Sequence, residues 1–287
     1  MVKPIVLAIL DGVGIREEAA GNAFNQAYKP VFNHLMREYP SSKLEASGNA
    51  VGLPEGQMGN SEVGHLNIGA GRVVFQPLEV INNAVKNSEI HNNQYIKKIV
   101  DHVNQNSSKL HVLGLLSDGG VHSHIDHITE MLELCKRNGI KDVYFHVFTD
   151  GRDTLPRSAL TYIAKLENKM EEYGIGKIAT IAGRYYAMDR DKRWERTKLA
   201  YDAMVLGEGP EHPSAEVIIK ESYNNEINDE FIVPSIIDKN GIIEDNDGII
   251  FANFRPDRAT QILTSITNGA FKAFEVKPFK NVEMVSL

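Results

Sequence analysis

Residues 110–120 read Leu110-His111-Val112-Leu113-Gly114-Leu115-Leu116-Ser117-Asp118-Gly119-Gly120, a continuous apolar run followed by a polar, glycine-rich corner. The same unit recurs with apolar runs at 5–10, 143–148, 177–182 and 248–252, each followed by a polar corner. Amphipathic segments at 126–136, 158–173 and 192–206 predict helices between them. Continuous apolar strands that alternate with helices indicate an α/β fold with mostly parallel sheets, covered on both faces.

The sequence predicts two domains of unequal size. The region 73–108 has no comparable corner, is rich in asparagine, and is expected to be helical and connecting. A composition shift near Arg72 marks a boundary, so we expect a small domain at 1–74 and a larger one at 75–287. The apolar run at 282–287 is strand-like. Because ligands of parallel sheets bind beyond the carboxyl ends of the strands, the polar corners are the place to look for a site.

The composition is that of a globular protein, with 42% hydrophobic and 24% charged residues. A net charge of -7 argues against nucleic-acid and anionic-membrane partners, because both require a positive field. The single cysteine, Cys135, cannot form an internal disulfide and is expected to be a buried hydrophobe in a reducing compartment. The first apolar run is too short for a signal peptide and no later run could span a bilayer. We therefore expect a cytoplasmic protein. We also expect a monomer whose partner is a small molecule.

Asp11 and Ser61 are the candidate metal-binding and catalytic residues of the first domain. Asp11 follows the first predicted strand and could hold a divalent metal, or it could be a turn residue before Gly12. Ser61 lies among glycines that allow close backbone approach, and a helix starting there would offer amide donors to a phosphoryl group. A serine hydroxyl needs a base or a metal to become a nucleophile. The alternative is that Ser61 is only a helix N-cap.

The corners of the second domain carry an unusual number of arginines. Guanidinium groups match carboxylates and phosphates and stay charged, so several in one cleft imply an anionic ligand, although any single arginine could be a solvated surface charge. Asp153 could act as a general acid or base on a hydroxyl of a sugar acid. The candidate substrate-binding residues are His122, Arg152, Asp153, Arg184, Arg190, Arg255 and Arg258.

One motif favours a different chemistry. His122-Ser123-His124-Ile125-Asp126-His127 has the H-x-H-x-D-H ligand spacing of metallo-β-lactamase-like hydrolases, which could hold zinc. That fold needs further ligands downstream, and only His146, inside an apolar run, and His212 remain. We therefore expect His124 and His127 to be ordinary histidines at a helix start.

The sequence resembles the cofactor-independent (2,3-bisphosphoglycerate-independent) phosphoglycerate mutases through six ordered motifs. They are Leu10-Asp11-Gly12-Val13-Gly14, Gly56-Gln57-Met58-Gly59-Asn60-Ser61-Glu62-Val63-Gly64-His65, Ser117-Asp118-Gly119-Gly120-Val121-His122-Ser123-His124, Thr149-Asp150-Gly151-Arg152-Asp153, Gly183-Arg184-Tyr185-Tyr186-Ala187-Met188-Asp189-Arg190-Asp191 and Asn253-Phe254-Arg255-Pro256-Asp257-Arg258-Ala259.

The resemblance implies an alkaline-phosphatase-like domain with two manganese ions, into which an α/β transferase domain is inserted. Ser61 would be the nucleophile and, with Asp11, a ligand of one metal. The seven substrate-binding candidates would hold 3-phosphoglycerate or 2-phosphoglycerate, with Asp153 assisting proton movement. The implied reaction is the glycolytic isomerisation of these two phosphoglycerates through a phosphoserine.

Family members are longer, and the remaining metal ligands of their pattern are absent from these 287 residues. The resemblance therefore implies a partial phosphatase-like domain beside a nearly complete transferase domain. We expect the chain alone to be inactive as a mutase. The alternatives are a non-catalytic phosphoglycerate-binding fragment or another phosphomutase of the same superfamily, such as a phosphopentomutase.

Overall fold

The structure is a computed structural model that describes residues 3–287. Strand β1 (Leu110–Leu115) lies inside its sheet. It is buried along its whole length and pairs in parallel with a strand on each side, so that Leu113 lies opposite both His146 and Phe251. The other strands are β2 (Val143–Thr149), β3 (Lys177–Gly183), β4 (Ser235–Ile236), β5 (Gly248–Phe251) and β6 (Glu283–Ser286).

The six strands form one sheet in the order β4-β3-β2-β1-β5-β6, and only the short edge strand β4 is antiparallel to its neighbour. The prediction of an α/β fold with a mostly parallel sheet is therefore confirmed. The strands predicted at 110–116, 143–148, 177–182 and 248–252 are each found within one residue of their predicted ends. The strand-like run at 282–287 forms β6 beside β5.

The described residues form eleven α-helices. In chain order they are α1 (Ala23–Gln26), α2 (Pro30–Glu38), α3 (Ser61–Ala70), α4 (Pro77–Lys86), α5 (Gln94–Asn106), α6 (Ile125–Arg137), α7 (Ala159–Tyr173), α8 (Arg184–Ala187), α9 (Trp194–Tyr201), α10 (Ala215–Asn224) and α11 (Thr260–Thr267). The predicted helix at 192–206 instead continues from α9 as a π-helical turn, Asp202–Leu206.

Both faces of the sheet are covered, as the continuous apolar strands require. One core contains residues of α5, α6, α7 and α10, such as Ile99 and Met131, against strand residues including Val112. The other contains residues of α9 and α11, such as Tyr201 and Ile262, and strand residues Leu113 and Phe251. Cys135 is fully buried in the first core, and burial raises the pKa of its thiol to about 12, which makes it an unreactive hydrophobe.

The chain forms two units, one ending at Glu79 and the other running from Val80 to Leu287. All six strands belong to the second unit. The first unit, as far as the structure describes it, contains α1, α2, α3, a 3-10 helix (Gly48–Val51), the start of α4 and turns. None of the helices among residues 3–287 combines the length and apolar character that crossing a membrane requires.

The prediction of a buried strand at 5–10 is wrong. Residues 3–10 form no ladder, and Ile5 and Val6 are 98% and 84% exposed. An apolar run becomes a strand only when neighbouring strands satisfy its backbone groups, and residues 3–79 supply no such neighbour. Asp11 and Gly12 consequently form a turn rather than the end of a buried strand, with Gly12 at φ +82°.

Candidate functional site

The corner residues of the second unit come together beyond the carboxyl ends of four adjacent parallel strands. His122 follows β1, Arg152 and Asp153 follow β2, and Arg184 opens α8 directly after β3. Arg190 lies in the loop after α8, whereas Arg255 and Arg258 follow β5 around a 3-10 turn. The parallel register is what aligns these corners, because it puts all the strand ends on the same edge of the sheet.

Asp150, the first residue after β2, organises its corner through four hydrogen bonds. Its Oδ1 accepts from the backbone N–H groups of Arg152 at 3.1 Å and Asp153 at 2.9 Å, and from Arg184 Nη1 at 2.7 Å. Its Oδ2 accepts from Ser117 Oγ at 2.6 Å. Burial would raise the pKa of Asp150, but these hydrogen bonds hold it below its usual value. The carboxylate therefore stays charged and fixes the backbone that carries two candidate site residues.

Arg184 is the buried cation of the site, with a side chain that is 2% exposed. Its Nη1 donates to Asp150 Oδ1 and also to Asp153 Oδ2, at 2.6 Å. Burial would lower the pKa of Arg184, but the two carboxylates raise it. Close packing puts Arg184 in this place, because a Cβ on the preceding Gly183 would lie 2.3 Å from the carbonyl oxygen of Glu230. Arg184 therefore orients Asp153 and is itself already paired.

His122 lies between two carboxylates. Its Nε2 is 4.0 Å from Asp153 Oδ2, and its Nδ1 is 3.7 Å from Asp257 Oδ1. Burial and the neighbouring Arg184 lower the pKa of His122 to about 4. The imidazole is therefore neutral at neutral pH, with one N–H group and one lone pair available in the ring plane.

Asp257 joins two exposed arginines of the site. Its Oδ2 accepts from Arg190 Nη1 at 2.8 Å, and its Oδ1 lies 3.0 Å from Arg255 Nε. Burial would raise the pKa of Asp257, but Arg190 and Arg255 lower it. Arg152 has a carboxylate partner too, since its Nη1 is 3.4 Å from Glu230 Oε1.

Arg258 differs from the other arginines of the site. Among residues 3–287 it has no carboxylate within ion-pair distance, and its Nη1 donates only to the carbonyl oxygen of Met188, at 3.3 Å. Partial burial and the positive charges of Arg190, Arg184 and Arg152 lower its pKa. Arg258 helps to line a cavity of about 350 Å³, which is lined by Arg152, Arg184, Tyr185, Asp189, Arg190, Asp191, Arg196, Glu230, Phe231 and Arg258. The cavity thus offers concentrated, incompletely neutralised positive charge to an anionic ligand.

Ser61 and Asp11 are in direct contact within the first unit. Ser61 Oγ donates to Asp11 Oδ2 at 2.6 Å, and both side chains are exposed. Ser61 is the first residue of α3, and the N-cap is Asn60, whose side chain accepts from the backbone N–H of Val63. The N-cap alternative for Ser61 is therefore wrong, and its hydroxyl is free to point at Asp11 from a helix N-terminus.

Gly59 is needed for this local structure. A Cβ at Gly59 would lie 1.8 Å from the carbonyl oxygen of Ala46, a distance that no side chain tolerates.

His65, one turn after Ser61 on α3, places its Nδ1 2.8 Å from the Ser61 carbonyl oxygen and 3.2 Å from Ser61 Oγ. A donor at this nitrogen would favour a negatively charged serine oxygen.

The residues at hand do not form a complete metal centre. Asp11 and Ser61 could contact one cation together, but no group of three His, Cys, Asp or Glu side chains in the described part of the chain is placed to hold a metal. Manganese takes up to six ligands, mostly oxygen, so two oxygens do not fit the two-ion centre that the resemblance implies. Asp11 and Ser61 can therefore supply at most a part of such a centre.

The histidines of the H-x-H-x-D-H motif have separate structural roles. His124 caps α6, where its Nδ1 accepts from the backbone N–H of Asp126 at 3.2 Å. His127 lies in α6 with its Nε2 2.8 Å from Asn82 Oδ1. The prediction that both lie at a helix start is confirmed.

Sequence reasoning did not give roles to several residues of this site. Asp150 and Asp257 were inside recognised motifs, and Asp189 holds the Arg190 loop through hydrogen bonds from the backbone N–H groups of Asp191 and Arg193. An aspartate two residues before a turn amide is a local signal that could have identified Asp150 and Asp189. Glu230 had no such signal, because its contact with Arg152 joins positions that are far apart in the chain.

The chain is similar in sequence to known proteins. A family model described as BPG-independent PGAM N-terminus matches residues 81–287. The chain is 52% identical over 277 residues to the 2,3-bisphosphoglycerate-independent phosphoglycerate mutase of Clostridium novyi (strain NT), covering 95% of this chain and 54% of that protein. It is 53% identical over 279 residues to the protein of the same name from Clostridium perfringens (strain SM101 / Type A), with 96% and 54% covered.

A solved structure has the same fold. The crystal structure of Leishmania mexicana phosphoglycerate mutase at low cobalt concentration matches with a TM-score of 0.76 at 31% identity, covering 97% of this chain and 53% of that one. The chain thus spans about half the length of the curated relatives it matches, 54% of each.

Proposed function

Since the chain belongs to the BPG-independent PGAM N-terminus family, we propose that it provides the substrate-binding residues and the nucleophile of a phosphoglycerate mutase. The proposed reaction interconverts 3-phosphoglycerate and 2-phosphoglycerate in glycolysis, in the cytoplasm. Two manganese ions would assist, with Asp11 and Ser61 among their ligands. The phosphoserine would form on Ser61.

The group transfer balances without a second substrate. Ser61 Oγ loses its proton and bonds to phosphorus as the phosphorus–oxygen bond to the glycerate breaks, and the freed glycerate oxygen takes up a proton. In the return step the other glycerate hydroxyl loses a proton and takes the phosphoryl group from Ser61, whose oxygen regains a proton. Asp153 is the proposed proton carrier, since Arg184 orients its carboxylate and its side chain remains 17% exposed.

The observation that carries the proposal is the unpaired Arg258 beside the cavity. Partial burial, together with the positive charge of the neighbouring arginines, lowers its pKa, and a phosphate group would offset that repulsion. Arg152 and Arg190 are about half exposed and could turn from Glu230 and Asp257 to the ligand. A doubly charged phosphate and a carboxylate together need several such donors.

The test is the binding of 3-phosphoglycerate to the 287-residue chain, measured by calorimetry. We expect Arg258→Ala to weaken binding by roughly ten- to a hundredfold, because it removes a charge-assisted contact of about 1.5–3 kcal/mol. The matched control is Arg157→Ala, an arginine that is 41% exposed and paired with Glu226 at 3.2 Å. Equal binding by wild type and Arg258→Ala would refute the assignment of the site.

A non-catalytic role for the chain by itself is the second candidate. It is favoured by the incomplete set of metal ligands around Asp11 and Ser61 among the described residues. The substrate-binding residues do not depend on that set, because they all lie in the second unit. The two candidates therefore share the ligand and differ only in turnover.

A further inference from the structure

Two buried polar atoms of the site face each other without a hydrogen bond. They are His122 Nδ1 and Asp257 Oδ1, which lie 3.7 Å apart, and neither has a hydrogen-bond partner within the described residues. Arg255 Nε is 3.0 Å from Asp257 Oδ1, but its N–H does not point along a hydrogen bond to that oxygen. Buried polar atoms left unpaired are costly, so such a pair calls for a functional explanation.

The neighbours of His122 decide which nitrogen carries its proton. The neutral ring has one N–H group, which could face Asp153 through Nε2 or Asp257 through Nδ1. Asp153 Oδ2 already accepts a hydrogen bond from Arg184 Nη1 at 2.6 Å, and it lies 4.0 Å from Nε2. Asp257 Oδ1 is nearer and has no donor, and the distance needs to shorten by about 0.8 Å to reach a usual N–H···O bond.

We propose that Asp257 is a positioning residue that holds His122 as the Nδ1–H tautomer and thereby presents the Nε2 lone pair to the ligand. The consequence for ligand recognition rests on the proposed function. An Nε2 lone pair on the side of Asp153 accepts a hydrogen bond from a glycerate hydroxyl, which an N–H group at this nitrogen could not do. The same carboxylate contacts Arg190 and Arg255, so it links the histidine to two arginines of the site.

This arrangement predicts a specific dependence on the carboxylate. A neutral imidazole that loses the acceptor at Nδ1 gains most by turning its N–H toward Asp153, the other carboxylate within 4.0 Å. Four charged groups surround His122. Asp153 follows β2, Arg184 follows β3, and Arg255 and Asp257 lie in the turn after β5. Removing Asp257 should therefore change the tautomer and not merely loosen the loop.

The experiment is nitrogen NMR of the histidine rings in the 287-residue chain at neutral pH, with His122→Gln identifying the signal. We expect the wild type to show the Nδ1–H tautomer at His122. We expect Asp257→Ala to shift the ring toward Nε2–H, and Asp257→Asn, which keeps an oxygen acceptor, to retain Nδ1–H. The control is Asp101→Asn, an exposed carboxylate on α5. An Nε2–H tautomer in the wild type overturns the proposal even if Asp257→Ala does not fold.

Binding of 3-phosphoglycerate to the same proteins separates this inference from the proposed function. We expect Asp257→Ala to weaken binding at least tenfold. The double variant Asp257→Ala/His122→Ala should lose less binding free energy than the two single variants lose in sum. If the wild type binds no phosphoglycerate but the tautomer follows Asp257, the proposed function fails and the positioning role stands. If binding is normal and Asp257→Ala leaves the tautomer unchanged, the positioning role fails alone.

Discussion

Replacing Asp150 with alanine should destabilise the second unit strongly. The change removes the acceptor of four hydrogen bonds and leaves Arg184, 2% exposed, with Asp153 as its remaining carboxylate. Removing one partner of a buried ion pair costs about 3–5 kcal/mol. Because Asp153 still pairs with Arg184, we expect the lower end of that range, about 3 kcal/mol. That is a large part of the roughly 5–15 kcal/mol that stabilises a typical domain.

The assay is urea unfolding of the 287-residue chain, followed by the fluorescence of Trp194, its only tryptophan. The matched control is Glu226→Gln, which removes a carboxylate that is 89% exposed from its pair with Arg157 and should cost less than about 1 kcal/mol. A loss below about 1 kcal/mol for Asp150→Ala would refute the view that this carboxylate organises the site.

The pH dependence of the same carboxylate has a definite sign. The pKa of Asp150 is lowered in the folded chain from its ordinary value of 3.8. Its contribution to stability is therefore fully present above that ordinary value and is lost as the pH falls through the lower, folded pKa. The difference in unfolding free energy between wild type and Asp150→Asn should be constant near neutral pH and should shrink below about pH 4, as urea titrations at several pH values would reveal.

Three further predictions address other parts of the chain. Burial lowers the pKa of His127 from 6.5 to about 4, so stability should fall by up to about 3 kcal/mol as the pH drops through that interval, and urea unfolding of His127→Gln should show a weaker dependence. Glu230→Gln should tighten 3-phosphoglycerate binding a few-fold in calorimetry, because Arg152 then has no ion pair with Glu230 to break before it contacts the ligand. Unchanged affinity would contradict a competition between Glu230 and the ligand for Arg152. The chain alone should show no manganese-dependent conversion of 3-phosphoglycerate in a coupled assay, and measurable turnover would show that Asp11 and Ser61 need fewer partners than we infer.

The sheet could be predicted because most of its strands are apolar runs in the sequence and the strands that pair with one another lie in the same unit. The apolar runs that form β1, β2, β3 and β5 each lie in the second unit together with the strands they pair with. The run at 5–10 has the same character, yet it forms no strand, because pairing depends on neighbours that its own residues do not specify. The short strand β4 was missed because two residues carry no periodicity.

The cations of the site could be predicted better than their partners. Arg184, Arg190 and Arg258 stand in motifs at strand ends, where an anionic ligand is expected. Which carboxylate each arginine contacts depends on tertiary distances, so the pairing of Arg184 with Asp150 and the lack of such a partner at Arg258 among the described residues are visible only in the fold. The tautomer of His122 likewise depends on residues more than thirty and more than a hundred positions away.

The pairing pattern implies an order of events when an anion enters the second unit. Arg152 and Arg190 are held by carboxylates in the free chain, so each must exchange one anionic partner for another and gains little net attraction. Arg258 has no carboxylate partner to give up within the described residues, and partial burial and its positive neighbours lower its pKa. The first strong attraction for a phosphate therefore comes from Arg258, and the exchanged arginines then determine geometry more than affinity.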